Sequence, residues 1–484
     1  MALMDTVRAE RLAKIARLKE AGMEAYPART SRTHAVGQFL ENHETLQKNS
    51  EQVMLAGRVM SMREHGGSLF VDLFDGAKGQ CYVQRDKLGE SSYDLFGGTV
   101  DTGDIVEFTG MAFTTKRGVP SLNVTGWRML AKSLRPLPDE WFGIKDEDER
   151  FRKRYLDILL TKDLAERIRR RSKFWNVIRS YLLERDFIEV ETPVLETTTG
   201  GADARPFKTH HNVLDMDIYL RISTGELWQK RLMVAGLPKV FEIGRVFRNE
   251  GMSHEHAQDY TAIEFYEAFK DYEAGMEMVM DLYRTVADKV YGTRVFTIKD
   301  CTIDLDKGWE TYDFCALMLK EYGLDPRDEK VDWSAVLEKR NIPFEKNVGV
   351  ERLVDVAWKQ IRKKLSGPGF LINVPVYMEP LAKKSAKDPR VVERFQVMIA
   401  GSEIGKGFSE LNDPIDQAER FQRQQQLREA GDEEAQMPDA EFVEALEYGM
   451  PPAFGFGVSE RLFSFLEGVS VREGQIFPLM RPRQ

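Results

Sequence analysis

Five short β-rich stretches within residues 53–133 constrain the fold more than any other feature. They are separated by Gly, Asp and Lys turns, and they read VMLAGRVMSM, SLFVDLFD, QCYVQRD, DIVEFTGMAF and SLNVTGWRML. About five strands in about 80 residues are typical of a small barrel such as the OB-fold. A charged, proline-containing connector, LRPLPDEWFGIKDEDER, follows at 134–150. We therefore expect a domain boundary in this connector.

Beyond residue 151 the pattern is mixed helix and strand. One face of a long helix, with Thr161 as its N-cap, is marked by Leu164, Ile168, Trp175, Ile178 and Leu182. Strand-like segments lie at 238–248, 258–269, 369–376 and 392–412, and helices are predicted near 271–291, 309–322, 350–364, 414–429 and 438–448. The strands are not spaced like βαβ units, so an α+β fold with a mostly antiparallel sheet and flanking helices is predicted.

Residues 5–22 predict an N-terminal helix with a basic surface. Leu12, Ile15 and Leu18 recur at three-residue spacing, and they are surrounded by Arg8, Arg11, Lys14, Arg17 and Lys19. Two interpretations stay open, namely a solvated amphipathic helix and a helix that contacts RNA phosphates. The expected organisation is an N-terminal helical extension at 1–50, a barrel at 51–135, a linker at 136–150 and a larger domain at 151–484.

Composition excludes several classes of protein. The formal net charge of -9 argues against a protein that coats nucleic acid through bulk positive charge. The three cysteines form no CxxC pair, which argues against a zinc site of usual spacing and favours a reducing compartment. No apolar run reaches the length of a membrane span or a signal peptide, so we expect a cytoplasmic protein without a membrane partner.

The segment 240–266, VFEIGRVFRNEGMSHEHAQDYTAIEFY, predicts a strand, a polar loop and a second strand. Period-2 alternation places Arg248 and Glu250 on one face of the first strand, and Glu264 and Tyr266 on one face of the second. The loop carries His254, His256 and Tyr260. An arginine fork suits phosphate and carboxylate oxygens, although a structural salt bridge across the hairpin is an equally ordinary interpretation. No Walker loop or Rossmann fingerprint is present, so any nucleotide must be held in another way.

FRNEG, with the loop and aromatic residue that follow it, resembles motif 2 of the class II aminoacyl-tRNA synthetases. FIEVETPVL (187–195) resembles motif 1, and GVSERLFSFLEGVSVREGQIFPLMRP (457–482) resembles motif 3. GGADARPFKTHHN (200–212) and GFSELND (407–413) are similar to the lysyl enzymes of subclass IIb. The resemblance covers nearly the whole chain. It implies a catalytic domain with a six- or seven-stranded sheet, preceded by an OB-fold that binds the anticodon.

The resemblance also implies an activity and partners. The enzyme would activate L-lysine with ATP to lysyl-adenylate, releasing pyrophosphate, and would then transfer the lysyl group to the 3′ end of tRNA(Lys), releasing AMP. Motif 1 implies a homodimer. The protein's task is to position the reactants and to neutralise developing charge, so Arg248 and Arg461 are the implied catalytic residues.

Three sets of site residues follow from the matched motifs. The ATP set consists of Arg248, Glu250, His256, Tyr260, Glu403 and Arg461, with Mg²⁺ held through Glu403 and Gln396. The lysine set consists of Glu226, Arg248, Glu264, Tyr266, Lys406, Phe408 and Glu410. The anticodon set consists of Arg63, Phe70 and Gln80. Core packing is the alternative for Phe70, and a core strand with one paired glutamate is the alternative for GFSEL.

The lysine set makes a specific electrostatic prediction. A lysine substrate brings two ammonium groups, so the pocket needs carboxylates that stay ionised and lie unpaired until the ligand completes the site. Alternation along the strand places Lys406, Phe408 and Glu410 on one face, which favours a shared pocket.

The chain departs from the family pattern at several positions. Motif 3 reads AFGFGVSER (453–461), with displaced glycines and Glu460 in place of aspartate. Lys406 stands where lysyl enzymes have asparagine, Gln396 stands where a metal-binding glutamate is usual, and STGEL (223–227) is one residue longer. These departures keep two rivals open, an aspartyl- or asparaginyl-type synthetase and a non-catalytic RNA-binding relative. A lysine ligase that acts on a protein rather than on tRNA is a further rival, but such paralogues lack the barrel.

Overall fold

The computed structural model describes residues 2–138, 144–251, 256–346 and 348–483. The chain divides into two compact units, Met1–Leu160 and Thr161–Gln484. Within the described residues, no helix combines the length and the apolar character needed to cross a membrane.

The first unit contains a closed five-stranded barrel. Its strands are β1 (Gln52–His65), β2 (Ser68–Phe74), β3 (Lys78–Gln84), β4 (Ile105–Thr114) and β5 (Pro120–Ala131), in the order β1-β2-β3-β5-β4. Alternate residues fill the interior, so that Val71 and Leu73 on β2 and Cys81 and Val83 on β3 are fully buried. The predicted barrel is therefore confirmed, and its outer face carries the residues between these positions.

Seven helices are described in the first unit. They are α1 (Ala2–Glu20), α2 (Val36–Glu41), α3 (His43–Asn49), α4 (Arg85–Leu88), α5 (Glu90–Thr99), α6 (Glu147–Arg152) and α7 (Arg154–Leu160). The N-terminal helix is confirmed, but part of its basic surface is used internally. Arg11 donates to the carbonyl of Ser133, Lys14 lies 2.6 Å from Asp101, and Arg17 donates to a backbone carbonyl. These three cations dock α1 onto its own unit, so the helix is not solvated all round. Contact of its remaining basic surface with RNA phosphates stays a prediction.

The second unit contains thirteen described strands, most of them in one sheet. They are β6 (Ile188–Glu189), β7 (Leu195–Glu196), β8 (Lys208–His211), β9 (Met216–Leu220), β10 (Lys239–Phe247), β11 (Asp259–Ala268), β12 (Val295–Ile298), β13 (Cys301–Asp304), β14 (Glu310–Asp313), β15 (Gly369–Ile372), β16 (Arg394–Ile399), β17 (Ser402–Ser409) and β18 (Ala453–Ser459). The main sheet has the order β14-β15-β16-β17-β18-β11-β10-β6. Its central pairs are antiparallel, which confirms the prediction. It has eight strands because the short strands β14 and β6 pair in parallel at its two edges.

Ten α-helices are described in the second unit. They are α8 (Lys162–Leu183), α9 (Glu226–Val234), α10 (Tyr272–Val286), α11 (Phe314–Tyr322), α12 (Trp333–Lys339), α13 (Val350–Arg362), α14 (Pro414–Glu429), α15 (Ala440–Glu447), α16 (Arg461–Leu466) and α17 (Val471–Gly474). Thr161 occupies the N-cap position of α8, but its side chain makes no capping hydrogen bond. The helix predicted from residue 309 begins only at Phe314, because Glu310–Asp313 forms β14 and the Asp313 side chain then accepts from the N–H of Ala316.

The main sheet separates two hydrophobic cores. On one face, Phe241, Phe395 and Phe456 pack with residues of α8 and α10. On the other face, Leu371, Met398 and Phe408 pack with Trp358 of α13. The candidate site opens on this second face, where the strand residues that are not covered by helices point into a cleft.

Candidate active site

A cavity of about 260 Å³ lies over the centre of the main sheet. All thirteen residues that the sequence assigned to ATP, lysine or metal binding line it. They are Glu226, Arg248, Glu250, His256, Tyr260, Glu264, Tyr266, Gln396, Glu403, Lys406, Phe408, Glu410 and Arg461. The cleft therefore combines a carboxylate-rich end with groups suited to phosphates. These residues come from α9, β11, β16, β17, α16 and the segments that follow β10 and β17, which are far apart in the sequence.

Glu226 enters the cleft from the first turn of α9. The loop before it turns through Gly225, the N-cap residue, which has a φ of 74°. A Cβ on Gly225 would lie 2.0 Å from Thr192 Oγ1, so only glycine fits this position. The longer STGEL loop is thus accommodated by a left-handed residue that directs the Glu226 side chain inward.

Glu264 and Tyr266 project from β11 into the same cavity. Glu264 accepts hydrogen bonds from the N–H of Thr224, at 2.8 Å, and from the Tyr266 hydroxyl, at 2.9 Å. Burial raises the pKa of Glu264, and the nearby Glu226 carboxylate raises it further. The Tyr266 hydroxyl is thus directed at Glu264, another member of the predicted lysine set.

Lys230, which the sequence reasoning missed, lies at the acidic end of the cleft. Its ammonium is 2.7 Å from Glu226 Oε1 and 2.5 Å from Glu410 Oε2, and its side chain is 1% exposed. The prediction that the pocket carboxylates are unpaired is therefore wrong for Glu226 and Glu410. Three buried carboxylates without any cation would be very costly, which explains the internal partner.

Glu410 nevertheless keeps one oxygen available. Its Oε1 is buried and accepts no hydrogen bond from any residue in the described part of the chain. Burial raises the pKa of Glu410 to about 8; the Lys230 ammonium opposes this shift, and Glu226 and Glu264 add to it. Burial of Glu410 therefore opposes the ionised form that the lysine set requires, and the Lys230 ammonium favours that form.

Two glycines of β18 form the floor beneath these carboxylates. Gly455 pairs with Tyr266, and Gly457 pairs with Glu264, so both face the cleft. A Cβ on Gly455 would lie 2.2 Å from Glu410 Oε1 and 2.4 Å from the Tyr266 ring. The displaced glycines of AFGFG therefore lie at the carboxylate-rich end of the cleft.

The opposite end of the cleft carries two arginines. Arg248 follows β10, donates from Nε to the carbonyl of Ile222 at 3.2 Å, and places its guanidinium 5.7 Å from the Tyr260 ring centre. Burial lowers the pKa of Arg461 to about 10, so this guanidinium stays charged at neutral pH. Burial also lowers the pKa of His256, which is therefore neutral at pH 7. His254 lies outside the described residues.

The expected metal ligands are both engaged by donors. Glu403 Oε1 accepts from the Trp358 indole at 2.7 Å, and its Oε2 is 3.5 Å from Arg362. Gln396 accepts a hydrogen bond from Arg394 through its amide oxygen. Glu403 still presents a carboxylate to the cleft, whereas Gln396 does not fit a metal ligand. Within the described residues, no three His, Cys, Asp or Glu side chains are grouped as a metal site.

Lys406 is held by a glutamate outside the predicted set. Its ammonium lies 3.2 Å from Glu379 Oε2, and Arg394 Nε lies 3.0 Å from the other oxygen of the same buried carboxylate. Burial opposes ionisation, but these two cations keep the pKa of Glu379 below its usual range. Lys406 therefore does not salt-bridge Glu226, Glu264 or Glu410.

Glu460, the residue in place of the motif 3 aspartate, has a structural role. It is fully buried. Its carboxylate accepts from the Arg171 guanidinium of α8, from the N–H of Thr261 on β11, and from Gln475 at 2.8 Å. These bonds fix the start of α16, and with it the position of Arg461.

The predicted anticodon residues share the outer face of the barrel. Arg63 pairs across the strands with Phe70, which in turn pairs with Tyr82. The Phe70 and Tyr82 rings stack with centres 4.6 Å apart. Gln80 lies two residues from Tyr82 on the same face and accepts from the Ser121 hydroxyl. Phe70 is thus not a barrel core residue, and Tyr82 is an aromatic neighbour that the sequence did not single out.

Comparisons with known proteins agree with this geometry. A profile of tRNA synthetases of class II (D, K and N) matches residues 146–481, and an OB-fold nucleic acid-binding profile matches residues 53–130. The chain is 40% identical to a lysine–tRNA ligase of Thermosipho africanus, with 99% of this chain and 97% of the relative covered. A lysine–tRNA ligase of Moorella thermoacetica is 42% identical, and one of Roseiflexus castenholzii is 40% identical. Coverage is 99% of this chain in both, and 99% and 100% of the relatives.

Proposed function

Because the chain belongs to the class II tRNA synthetases of the D, K and N group, we propose that it is a lysine–tRNA ligase. It activates L-lysine with ATP and transfers the lysyl group to the 3′ end of tRNA(Lys). The observation that carries the amino-acid assignment is the cluster of Glu226, Glu264 and Glu410 around one cavity. An amino acid with a second ammonium group satisfies such a cluster, whereas a carboxylate or amide side chain does not.

In the activation step, the lysine carboxylate attacks the α-phosphorus of ATP and pyrophosphate leaves. Arg248 lies where it can bind both the carboxylate and the α-phosphate, and Arg461 neutralises the far phosphates. Tyr260 offers a face to adenine, Glu250 reads the adenine edge, and neutral His256 donates a hydrogen bond to the phosphates. Each charge-assisted hydrogen bond contributes about 1.5–3 kcal/mol. In the second step, a ribose hydroxyl of tRNA attacks the lysyl carbonyl and AMP leaves.

At the other end of lysine, Glu226 binds the α-ammonium, and Glu410 binds the ε-ammonium through its available oxygen. Glu264 contributes charge beside Tyr266, and Phe408 packs along the methylene groups. Mg²⁺ carried by ATP would be held through Glu403, where it offsets phosphate charge. Gln396 is not retained as a ligand, because its amide oxygen already accepts from Arg394.

The barrel face is the proposed anticodon site. Phe70 stacks on a base, Tyr82 extends the aromatic surface, and Arg63 and Gln80 supply polar contacts. The observation that supports this anticodon site is that Phe70 and its neighbours point away from the barrel core.

The proposed domains remain the helical extension at 1–50, the barrel at 51–135, the linker at 136–150 and the catalytic domain at 151–484.

We also propose a homodimer formed through motif 1, located in the cytoplasm. Ile188, Val194 and Leu195 of this segment are 46%, 41% and 51% exposed, so they offer apolar surface to a second copy. Three free cysteines suit a reducing compartment. Sedimentation equilibrium tests the dimer, and a concentration-independent monomer mass would refute it.

The deciding assay is amino-acid-dependent exchange between ATP and pyrophosphate, measured with each of the twenty amino acids. Exchange with lysine, followed by lysylation of tRNA(Lys), is expected. Exchange with aspartate or asparagine instead would favour the rival synthetase, for which Lys406 was the only support. Since Lys406 is paired with Glu379, that rival is disfavoured. Folded, Mg²⁺-supplemented protein without exchange for any amino acid would favour the non-catalytic relative.

A further inference from the structure

Lys230 is a buried cation that the reaction described above does not use. It lies on α9 one turn after Glu226, so both side chains project from the same helix face. Its ammonium contacts one oxygen of Glu226 and one oxygen of Glu410. The rings of Tyr266 and Phe408 lie 5.9 and 5.3 Å from the same ammonium. The lysine is thus confined on several sides within the amino-acid end of the cleft.

We propose that Lys230 is a positioning residue that ties Glu226 to Glu410 and sets the charge of the pocket, so that the site selects an amino acid with two ammonium groups at the spacing found in lysine. This inference rests on the proposed lysine activation and assigns a specificity determinant for it.

The charge count supports the claim that Lys230 sets the charge of the pocket. Glu226, Glu264 and Glu410 together carry three negative charges when ionised, and Lys230 offsets one of them. Glu264 receives only neutral donors, namely Thr224 and Tyr266, within the described part of the chain. With all three carboxylates ionised, as in the complex with lysine, the pocket is therefore short of two positive charges, which equals the number of ammonium groups on lysine. An amino acid with one ammonium group would leave a buried charge unpaired.

The geometry supports the claim that Lys230 ties Glu226 to Glu410. Glu226 stands at the start of α9, and Glu410 follows β17, so their carboxylates come from separate elements. Lys230 ties the two carboxylates together, because its single ammonium contacts both of them at 2.7 and 2.5 Å. The two carboxylate oxygens that do not contact Lys230 then bind the α- and ε-ammonium groups of one ligand. Ornithine, which is one methylene shorter, cannot reach both, and a methylene is worth about 10–200-fold in discrimination.

Lys230→Met tests the proposal, because methionine keeps the apolar stem and removes the charge. Purified full-length variants are assayed by ATP–pyrophosphate exchange with lysine and with ornithine. The KM for lysine should rise about 30- to 100-fold, because Glu226 and Glu410 lose a buried partner. The preference for lysine over ornithine should fall about tenfold, because the spacing is no longer fixed. The KM for ATP should stay unchanged, since no ATP contact is altered. Lys230→Arg keeps the charge and should recover part of the lysine KM.

Three outcomes overturn the proposal. An unchanged lysine KM in Lys230→Met would show that the charge is not needed. Equal losses for lysine, ornithine and ATP would show a merely structural role. If Lys230→Met does not fold, the double variant with Glu226→Gln, which restores the net pocket charge, should fold. Failure of that variant as well would refute the charge argument. Absence of lysine-dependent exchange in the unaltered protein would refute the proposed function itself, which separates the two failures.

Discussion

Lysine binding should release a proton near neutral pH. The carboxyl group of Glu410 has a pKa of about 8, mainly because it is buried and despite the opposing Lys230 ammonium. Below pH 8 the free protein therefore holds a proton on Glu410. A bound ε-ammonium favours the ionised carboxylate, so binding must expel that proton. Apparent affinity for lysine should accordingly rise with pH and level off above pH 8.

The size of the effect follows from the pKa. If only the ionised form binds lysine, the apparent affinity at pH 7 is about tenfold below its plateau, or ~1.4 kcal/mol, and at pH 6 it is about a hundredfold below. Proton release per bound lysine should be about 0.9 at pH 7 and about 0.5 at pH 8. The lysine ammonium groups remain charged over this range, so they do not account for the change.

Isothermal titration calorimetry without ATP measures both quantities. Titrations at pH 6, 7 and 8, each in two buffers with different ionisation enthalpies, give the affinity and the number of protons released. Glu410→Gln is the matched control, since it keeps the shape of the side chain and cannot release a proton. An affinity that is constant between pH 6 and 8, or proton release that persists in Glu410→Gln, would refute the assignment to Glu410.

Three further predictions concern other parts of the protein. Gly455→Ala should raise the lysine KM more than tenfold and leave the ATP KM unchanged, because the added methyl group collides with Glu410; pyrophosphate exchange measures this, and Gly457→Ala, with a milder contact, should have a smaller effect. Phe70→Ala should raise the KM for tRNA about tenfold, by loss of ~1–3 kcal/mol of stacking, while exchange without tRNA stays unchanged. Lys406→Asn should change lysine-dependent exchange by no more than about threefold, because Lys406 is half-exposed and Arg394 still pairs with the buried Glu379; new exchange with aspartate or asparagine would contradict this.

Regular alternation made the sheet and the barrel predictable. The β-rich stretches located β10, β11 and four of the barrel strands within two residues at each end, whereas β1 continues three residues beyond its predicted stretch. Alternation also placed Glu264 and Tyr266 on one face of β11, and both line the cleft. The short edge strand β14 was read as helix, since four residues do not establish a period and its pairing partner β15 is distant in sequence.

The pairing of charges was not predictable in the same way. A lysine four residues after Glu226 was a usable signal, because helix positions i and i+4 share a face. However, lysines are rarely buried, so pattern reasoning treats such a residue as solvated. The contact between Lys406 and Glu379 depends on how β17 packs against the loop before β16, and no local sequence pattern predicts that packing. Motif resemblance identified the cleft residues but not the internal cations that hold them.

These internal cations explain how the cleft can exist before its ligand arrives. Three carboxylates that are placed to bind a ligand with two ammonium groups repel one another when that ligand is absent. Burial strengthens this repulsion. Lys230 removes one charge permanently, and a proton on Glu410 can remove another at neutral pH. Only the proton on Glu410 can leave. Lys230 therefore preserves the spacing of the carboxylates, while lysine binding displaces the proton. In this proposal, the specificity for an amino acid with two ammonium groups and the stability of the protein without lysine depend on the same three glutamates.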